Sequence, residues 1–588
     1  MFRVTQQQVL KTRITGQVVQ QARSSINHHS VRFNSVAIER KPSTSTTEPQ
    51  RFTSFTNTIK NVADLQKQQV PKPQTKRKNN NRNHTNPSSP WAKQIAAYRD
   101  TLAQITNFDD PATQPFFWEM LKKAMAQYEE LKGTPDFTPH LVSLLVYALH
   151  TGLRFNRNQL TRLAKKPDYD ARSFHTEING FIKNSLRGIT KDMLDDLVQL
   201  NESGAMHLLT SLKELKLESE ALSLWTSSME RESLKKTFLR PKVVGVLLPM
   251  MYNSGSNFED LQALFEESRS IQSHPHLVSG MIKTCLAAGH VQQALDLFND
   301  LASNSSKESY PALIDVHLSF IGDCKNTGIA AIMFNKAINR EMPYKFTLHV
   351  NSVKQFLENI WTEDQNFEMV YEKWNDATRF YGRNIHHGIS SSLNNTFFDI
   401  FFEKYANDKA AGLLRLKEII AVYNDIKPID EPFFNIIISK CTVWKDKETI
   451  DTLYGAYALY NLQKTEVSRR IYLKSLGSIK NVSEEEILAS WYELIQHNDA
   501  EGYKYIANAD WAALRDATFA SDESRVELYA KILKQYQWFC RDEGQWRRLH
   551  NIVNIYPILE PYLKNLGTLD ASSVKVPQLT NMRVVEFA

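Results

Sequence analysis

The chain has 588 residues, of which 42% are hydrophobic and 23% are charged. It can therefore bury apolar surface, but it is too long for one compact core. Its four Cys, at positions 285, 324, 441 and 540, are too scattered for a disulfide framework or a CxxC zinc site. No apolar run of about 18 residues is present, so the sequence predicts no transmembrane helix.

The net charge of +6 is unevenly distributed along the chain. Residues 1–90 contain 15 Lys or Arg and three acids, whereas residues 91–588 contain 56 Lys or Arg and 62 acids. The body is thus acidic, and its composition does not by itself indicate nucleic-acid binding. Any site for a polyanion in the body must be a local patch of cations.

The N-terminal segment has the composition of a mitochondrial presequence. Residues 1–38 contain no Asp or Glu. Their apolar residues can form one stripe of a helix, opposite the cations Arg3, Lys11, Arg13, Arg23 and Arg32. A negative-inside membrane potential draws such a helix inward. We predict a presequence over residues 1–40 and a location in the mitochondrial matrix, where unpaired Cys also fit. The alternative is a disordered basic tail.

Residues 41–90 are rich in Pro, Thr, Gln and Asn and end in a basic run over 76–83. This composition cannot bury enough apolar surface to fold, so we predict a disordered linker. Two interpretations of the basic run stay open. It either contacts RNA or anionic lipid non-specifically, or it is a solvated tether.

From Trp91 onward, apolar residues recur at helical spacing, and no alternating strand pattern is found. The clearest unit covers residues 277–301. Its first helix ends at an Ala-Gly-His break, and its second helix places Ala294, Phe298 and Leu301 on one stripe. A small residue with a bulky aromatic four positions later is a packing pair typical of a helical hairpin.

The same packing pair recurs along the body, at Ala221/Trp225, Leu261/Phe265, Ala294/Phe298, Ala330/Phe334, Val370/Trp374, Ile450/Tyr454 and Ile487/Trp491. The aromatic positions are 33 to 40 residues apart, except for one gap of 80 that leaves room for a degenerate unit over 394–427. Two earlier helical pairs are predicted over 137–166 and 174–200. Because a hairpin of this kind buries its faces on its neighbours, the pattern predicts an all-α superhelical solenoid.

These elements divide the body into four predicted parts. They are an N-terminal helical cap over 91–136, a helical-repeat array over 137–500, a C-terminal helical cap over 501–570 and a loose tail over 571–588. The C-terminal cap is expected to be built around aromatic residues, namely Trp511, Tyr529, Trp538, Phe539 and Trp546.

The unit at 275–309 resembles a pentatricopeptide repeat. Residues 433–438 resemble the first helix of that repeat, and residues 425–430 resemble its closing loop. The chain as a whole resembles the fungal mitochondrial pentatricopeptide-like proteins of the "required for meiotic nuclear division" family, which bind the 3′ ends of mitochondrial mRNAs. The resemblance implies stabilisation or processing of mRNA in the matrix, with association with the inner membrane or the ribosome. It also implies that the first helices line a concave groove.

Four windows of the body contain no Asp or Glu: 137–167, 233–258, 377–398 and 467–483. The last three lie mostly on predicted first helices or on the loops leading into them, which favours a cationic inner wall for a polyanion. Chance clustering on solvated faces is the alternative. The candidate phosphate-binding residues are Lys235, Lys236, Arg240, Lys242, Arg379, Arg383, Arg469, Arg470 and Lys474.

Base recognition requires short polar side chains that reach the base edges. Alignment to the 275–309 unit places Ser279, Asp315, Gln355, Asn395 and Asn435 at the base-facing fifth position. Tyr472 occupies the same position in a later unit and is a candidate for stacking on a base. Val142 and Met206 break the pattern in the first units.

The sequence therefore predicts a monomeric, non-enzymatic protein that binds single-stranded mitochondrial mRNA selectively and needs no cofactor or metal. The alternative is a helical-repeat scaffold that links the mitochondrial ribosome, translation factors and the inner membrane. A metal-dependent ribonuclease built on Asp510, Asp516, Asp522 and Glu523 is a third hypothesis, for which no strand framework is predicted.

Overall fold

The computed structural model describes residues 90–106, 114–163, 171–304, 306, 309–382, 385–519, 523–536 and 551–581. The predicted presequence and the linker up to residue 89 lie outside these residues. Within them, all regular secondary structure is helical. The prediction of an all-α solenoid of helical hairpins is confirmed. No helix in this part of the chain is both long and apolar enough to cross a bilayer.

The N-terminal helices are α1 (Ala92–Thr106), α2 (Gln114–Leu131), α3 (Pro139–Leu163), α4 (Ala171–Leu194), α5 (Glu202–Glu214), α6 (Glu218–Met229), α7 (Glu232–Phe238) and α8 (Pro241–Asn253). The central helices are α9 (Phe258–Ile271), α10 (Pro275–Ala288), α11 (Val291–Ser303), α12 (Tyr310–Gly322), α13 (Thr327–Ile338), α14 (Val350–Asn359), α15 (Phe367–Tyr381) and α16 (His387–Lys404). The C-terminal helices are α17 (Lys409–Ile426), α18 (Glu431–Cys441), α19 (Lys447–Leu459), α20 (Glu466–Leu476), α21 (Glu484–Ala500), α22 (Asn508–Ala517), α23 (Val526–Gln535) and α24 (Glu560–Lys564).

Two rows of helices run along the array. The first helices are α3, α5, α8, α10, α12, α14, α16, α18, α20 and α22, and each packs directly on the next one. Most second helices pack mainly on their own first helix, and the second helices contact each other little. The first-helix row is the tighter one. We call the exposed face of this row the inner wall. The main helix contacts join neighbouring pairs.

The pair α10/α11 shows how the sequence specifies a hairpin. Pro275 starts α10, where its missing N–H is not needed. Gly289 ends the helix with a left-handed backbone (φ 82°), a conformation that glycine adopts without strain. In α11, Ala294 and Phe298 are buried against the first helices. Burial of this stripe, more than intrinsic helix propensity, holds the second helix in place.

All seven predicted packing pairs lie in the buried core. The unit predicted over 394–427 is also present, as α16 and α17, and it contains an eighth pair, Ile419 and Tyr423, both fully buried. The Tyr423 ring stacks on Phe433 with centroids 4.1 Å apart, and Trp374 stacks on Phe397 at the same distance. These rings join four consecutive helices through offset contacts that stabilise the middle of the array.

The prediction of two helical pairs over 137–166 and 174–200 is wrong. Each range forms one long helix, α3 and α4, and together they make a single pair. Gly152 lies inside α3, where a side chain would press on Ile182, Leu121 and Trp118. The glycine therefore permits close helix packing here.

The loose tail predicted over 571–588 is wrong for residues 571–581. Ala571, Val574 and Leu579 are buried. The Tyr536 hydroxyl donates a hydrogen bond to the Pro577 carbonyl (3.1 Å), and the Thr580 hydroxyl donates one to Asp499 (2.9 Å). This segment therefore packs on the C-terminal cap, at the end of α21 and at the end of α23. Trp511 and Tyr529 are buried in the C-terminal cap as predicted, whereas Trp538, Phe539 and Trp546 lie outside the described residues.

Candidate nucleic-acid interface

The inner wall contains a groove formed by two adjoining cavities of about 380 and 480 Å³. The first lies over α3, α5, α8, α10 and α12, and the second continues toward α14. Lys213, Pro249 and Lys283 line both cavities. The groove thus runs across six consecutive first helices, which is the surface that a helical-repeat protein offers to an extended ligand.

The groove is predominantly cationic. Arg154, Lys213, Lys283 and Lys325 line it, against the two carboxylates Asp315 and Asp323. Lys283 is paired with Asp315, whereas Lys213 has no ion-pair partner among the described residues. Enclosure by the groove wall lowers the pKa of Lys213, and repulsion from Lys283 lowers it further. An anion placed between these two ammonium groups would relieve that repulsion.

The two carboxylates do not reverse this charge. Desolvation by the groove wall raises the pKa of Asp323, so the groove disfavours its ionised form. Asp315 is held by both Ser279 and Lys283: its carboxylate accepts a hydrogen bond from the Ser279 hydroxyl at 3.3 Å. Ser279, Lys283 and Asp315 therefore form one polar cluster that joins α10 to α12.

Two histidines face each other at the N-terminal end of the groove. The Nδ1 atoms of His150 (α3) and His207 (α5) are 2.8 Å apart, and His150 Nε2 lies 3.4 Å from a Glu214 carboxylate oxygen. The Glu214 carboxylate also accepts a 2.6 Å hydrogen bond from Arg157. Burial opposes ionisation of Glu214, but Arg157 and His150 together lower its pKa. Burial lowers the pKa of His207 to about 4.

The structure brings three of the predicted base-facing residues together in the groove. Ser279 and Asp315 line the first cavity, and Gln355 lines the second. Asn395 is exposed on α16 and donates a hydrogen bond to Asp399 (3.1 Å). Asn435 is buried on α18, where its amide oxygen accepts the Tyr457 hydroxyl (2.7 Å).

Tyr472 lies on α20 and stacks on Tyr454, with ring centroids 4.1 Å apart. Its hydroxyl donates a hydrogen bond to Asp451 (2.7 Å). One face of its ring is therefore already occupied by a protein aromatic side chain.

The predicted phosphate-binding residues lie in three different settings. Lys235 and Lys236 are exposed on α7, and Arg379 is exposed near the end of α15, so these three lie on second-helix elements. Arg240 and Lys242 lie at the start of the first helix α8. Arg383 lies outside the described residues.

The three candidates on α20 all contact carboxylates. Arg469 Nε is 3.2 Å from Glu493, and Lys474 is 3.2 Å from Asp516. Arg470 contacts Asp510, which is fully buried on α22. Burial raises the pKa of Asp510, and Arg470 is the charge that opposes this shift. Arg470 therefore holds two neighbouring first helices together.

Arg470→Ala is expected to destabilise the protein by about 3 kcal/mol, because it leaves a buried carboxylate without its counter-charge. Lys474→Ala is the matched control. Its side chain is 60% exposed, so its removal should cost less than about 1 kcal/mol. Urea denaturation of both variants tests this. Equal stability of the two variants would contradict the structural role of Arg470.

The groove residues that were not predicted from the sequence include Lys213, Lys283, His207 and His276. The search for acid-free windows missed Lys213 because Glu214 follows it directly. A usable signal was present in the helical spacing, because Lys283 lies four residues after the fifth-position residue Ser279, on the same helix face. Lys213 follows Met206 by seven residues in α5 and lies on the corresponding face.

Fold and groove together define an α-solenoid of helical hairpins with a basic inner surface. Family models match most of the chain: the RMD9 N-terminal domain over residues 88–239, the RMD9 middle domain over 258–463 and the RMD9 C-terminal domain over 500–588. The chain belongs to the RMD9 family, which confirms the resemblance noted from the sequence.

Similar proteins come from several yeasts. The chain is 37% identical to the RNA-binding protein RMD9, mitochondrial, of Kluyveromyces lactis, with 99% of this chain and 100% of the relative covered. It is 39% identical to the RNA-binding protein RMD9-like, mitochondrial, of Saccharomyces cerevisiae, with 85% and 82% covered. A solved structure of yeast Rmd9p in complex with a 16-nucleotide target RNA superposes with a TM-score of 0.74 at 41% identity, covering 84% of this chain and all of that one.

Proposed function

We propose that this chain is a mitochondrial protein that binds single-stranded RNA along its inner groove. The observation that carries the proposal is the continuous groove over six first helices, with Arg154, Lys213, Lys283 and Lys325 facing into it. The yeast relatives are named mitochondrial RNA-binding proteins, and one has been solved with RNA. Cations arranged along an extended trough match the regular charge spacing of an RNA backbone.

The RNA is a mitochondrial mRNA, bound near its 3′ end, and binding stabilises the transcript or helps its processing. The protein acts as a monomer in the matrix, with peripheral contacts to the inner membrane and to the ribosome. Its role is binding rather than catalysis, in keeping with the yeast relatives that are named RNA-binding proteins.

Crosslinking in purified mitochondria, followed by sequencing of the bound RNA, tests the proposal. We expect reads concentrated near the 3′ ends of a small set of mRNAs and crosslinked peptides from α5, α10 and α12. The competing function is a scaffold for ribosomal and translation proteins. Strong protein capture with no RNA crosslinks in the groove would support the scaffold and reject the RNA-binding proposal.

Base selection can be tested separately from backbone binding at Gln355. Its side chain is exposed in the second cavity and contacts Asn359 in the same helix (3.2 Å). Gln355→Ala should change discrimination at one RNA position by about 1 kcal/mol, the usual value of one hydrogen bond, and leave the salt dependence unchanged.

The matched control for Gln355→Ala is Gln292→Ala, an exposed glutamine on the second helix α11. Binding assays against RNAs with single-base changes provide the measurement. If Gln355→Ala weakened binding to every sequence equally, the assignment of Gln355 to base recognition would be wrong.

A further inference from the structure

Two neighbouring first helices approach each other very closely at the first cavity of the groove. Gly245 of α8 and Gly280 of α10 both line it, and a Cβ atom at Gly280 would overlap the Gly245 carbonyl group. The two helices therefore meet backbone to backbone, and open space lies above them. Three cations and one carboxylate line this space: Arg154, Lys213, Lys283 and Asp315. The cavity thus has a net positive charge before any histidine is protonated.

Hydrogen-bond chemistry fixes the tautomers of the two histidines. A carboxylate can only accept, so the 3.4 Å contact of His150 Nε2 with Glu214 requires that Nε2 carries the hydrogen. Neutral His150 then has a lone pair on Nδ1. His207 must donate its Nδ1–H across the 2.8 Å contact. His207 Nε2, the remaining nitrogen of a ring that lines the cavity, is consequently an unprotonated acceptor.

A single proton changes what this nitrogen can bind. When a proton from solvent bonds to the lone pair on His207 Nε2, the ring becomes an imidazolium with two N–H donors. Its Nδ1–H still donates to His150, and the contact of His150 with Glu214 is unchanged, so no existing hydrogen bond breaks. Before protonation, His207 Nε2 is an acceptor and repels phosphate oxygens. After protonation, it is a donor on a charged ring and binds them.

We propose that this cavity is a phosphate-binding subsite in which His207 takes up one proton and contacts the phosphate through Nε2, alongside the ammonium groups of Lys213 and Lys283. The inference rests on the proposed function, since the phosphate then belongs to the backbone of bound RNA. The same chemistry would also accept free inorganic phosphate. The two sources are distinguished by experiment.

The charged and titratable groups that face His207 come from every helix packed around it. They are His150 and Arg154 of α3, Lys213 and Glu214 of α5, Lys242 of α8 and His276 of α10. Burial first, and then the basic groups His150, Arg154, Lys242 and His276, lower the pKa of His207 to about 4 and keep its ring neutral. A phosphate group offsets the neighbouring cations, so it raises the pKa of His207. Binding and proton uptake are therefore coupled, and acid favours the complex.

The test measures RNA affinity from pH 8 down to about pH 5.5. This whole range lies above the pKa of His207 in the RNA-free protein, so His207 is neutral before RNA binds. The probe is a random-sequence RNA pool of 16 nucleotides, the length found with yeast Rmd9p. For the unmodified protein, affinity should rise as pH falls, by up to about tenfold per pH unit, the limit for one coupled proton. His207→Gln should flatten this slope. His140→Gln, at an exposed histidine on α3, should retain it.

A second measurement needs no variant. Calorimetry of the unmodified protein in two buffers of different ionisation enthalpy gives the number of protons taken up on binding, which should approach one at pH 6. Inorganic phosphate is titrated in the same way, and its proton uptake is taken relative to that of His207→Gln, because free phosphate exchanges a proton of its own in this pH range. Uptake with RNA but not with phosphate identifies the RNA backbone as the ligand, whereas uptake with both shows that free phosphate also enters the subsite.

The outcomes separate the subsite from the function on which it rests. Tight RNA binding with no proton uptake, or with equal pH slopes for the unmodified protein and His207→Gln, overturns the subsite and leaves the proposed function intact. Proton uptake with inorganic phosphate, without RNA binding at any pH, supports the subsite and rejects the function. Binding of neither probe rejects both.

Discussion

Lys213→Glu combined with Lys283→Glu is expected to weaken RNA binding by at least about 100-fold, because each lysine makes a charged contact worth about 1.5–3 kcal/mol. The loss of RNA affinity should exceed the loss caused by replacing the same two lysines with neutral residues. A glutamate at position 283 would lie beside Asp315 and repel the RNA backbone. The slope of log affinity against log salt should also become shallower by about 1.4, for two contacts with a single strand.

The matched control is Lys235→Glu combined with Lys236→Glu, which makes the same change of charge on exposed residues of α7, outside both cavities. Fluorescence anisotropy at two or more salt concentrations measures both variants. The groove assignment fails if the two double variants lose affinity equally, and long-range attraction by net charge would then explain the binding.

Gly280→Ala should destabilise the protein by about 3 kcal/mol, at the upper end of the usual cost of overpacking. The added methyl group overlaps the Gly245 carbonyl, which is backbone and cannot rotate away. The helices α8 and α10 must therefore separate, and the cavity above them changes shape. RNA affinity should fall together with stability, because Lys213 and Lys283 line that cavity from either side.

Gly455→Ala in α19 provides the comparison, because a Cβ at this exposed position meets no atom within 4 Å. There the substitution should stabilise the protein by about 0.5–1 kcal/mol through the better helix propensity of alanine. Urea unfolding of the two variants should thus give changes of opposite sign. A neutral Gly280→Ala would mean that α8 and α10 are not in backbone contact.

Much of the fold could be predicted from local sequence patterns. A small apolar residue followed four positions later by an aromatic marks the buried stripe of a second helix, and this rule found seven buried pairs. It missed Ile419 and Tyr423, although they obey the same rule, because Tyr423 lies 49 residues after Trp374 and 31 residues before Tyr454, outside the spacing of 33 to 40 residues found elsewhere. The single hairpin formed by α3 and α4 was not predictable in this way, since the packing partners of Gly152 in the middle of α3 lie in other helices and leave no local pattern.

The site was harder to predict than the fold, for a physical reason. A groove residue is defined by the helix face that it shares with residues of other repeats, and unit length varies along this chain. The fifth-position rule placed Ser279, Asp315 and Gln355 in the groove. In the later units, local partners such as Tyr457 and Tyr454 engage the predicted residues. The pairing of His150 with His207 depends on contact across 57 residues, which no sequence pattern records.

The arrangement of helix contacts has a consequence for how the molecule comes apart. Because the main contacts join neighbouring pairs, loss of one interface leaves the helices on either side supported by their own neighbours. Unfolding then proceeds in blocks, and a single melting temperature does not describe it. A destabilising substitution near the stacked Trp374 and Phe397 would divide the array into two halves that melt separately. A destabilising substitution at either end of the array would unfold only the terminal helices.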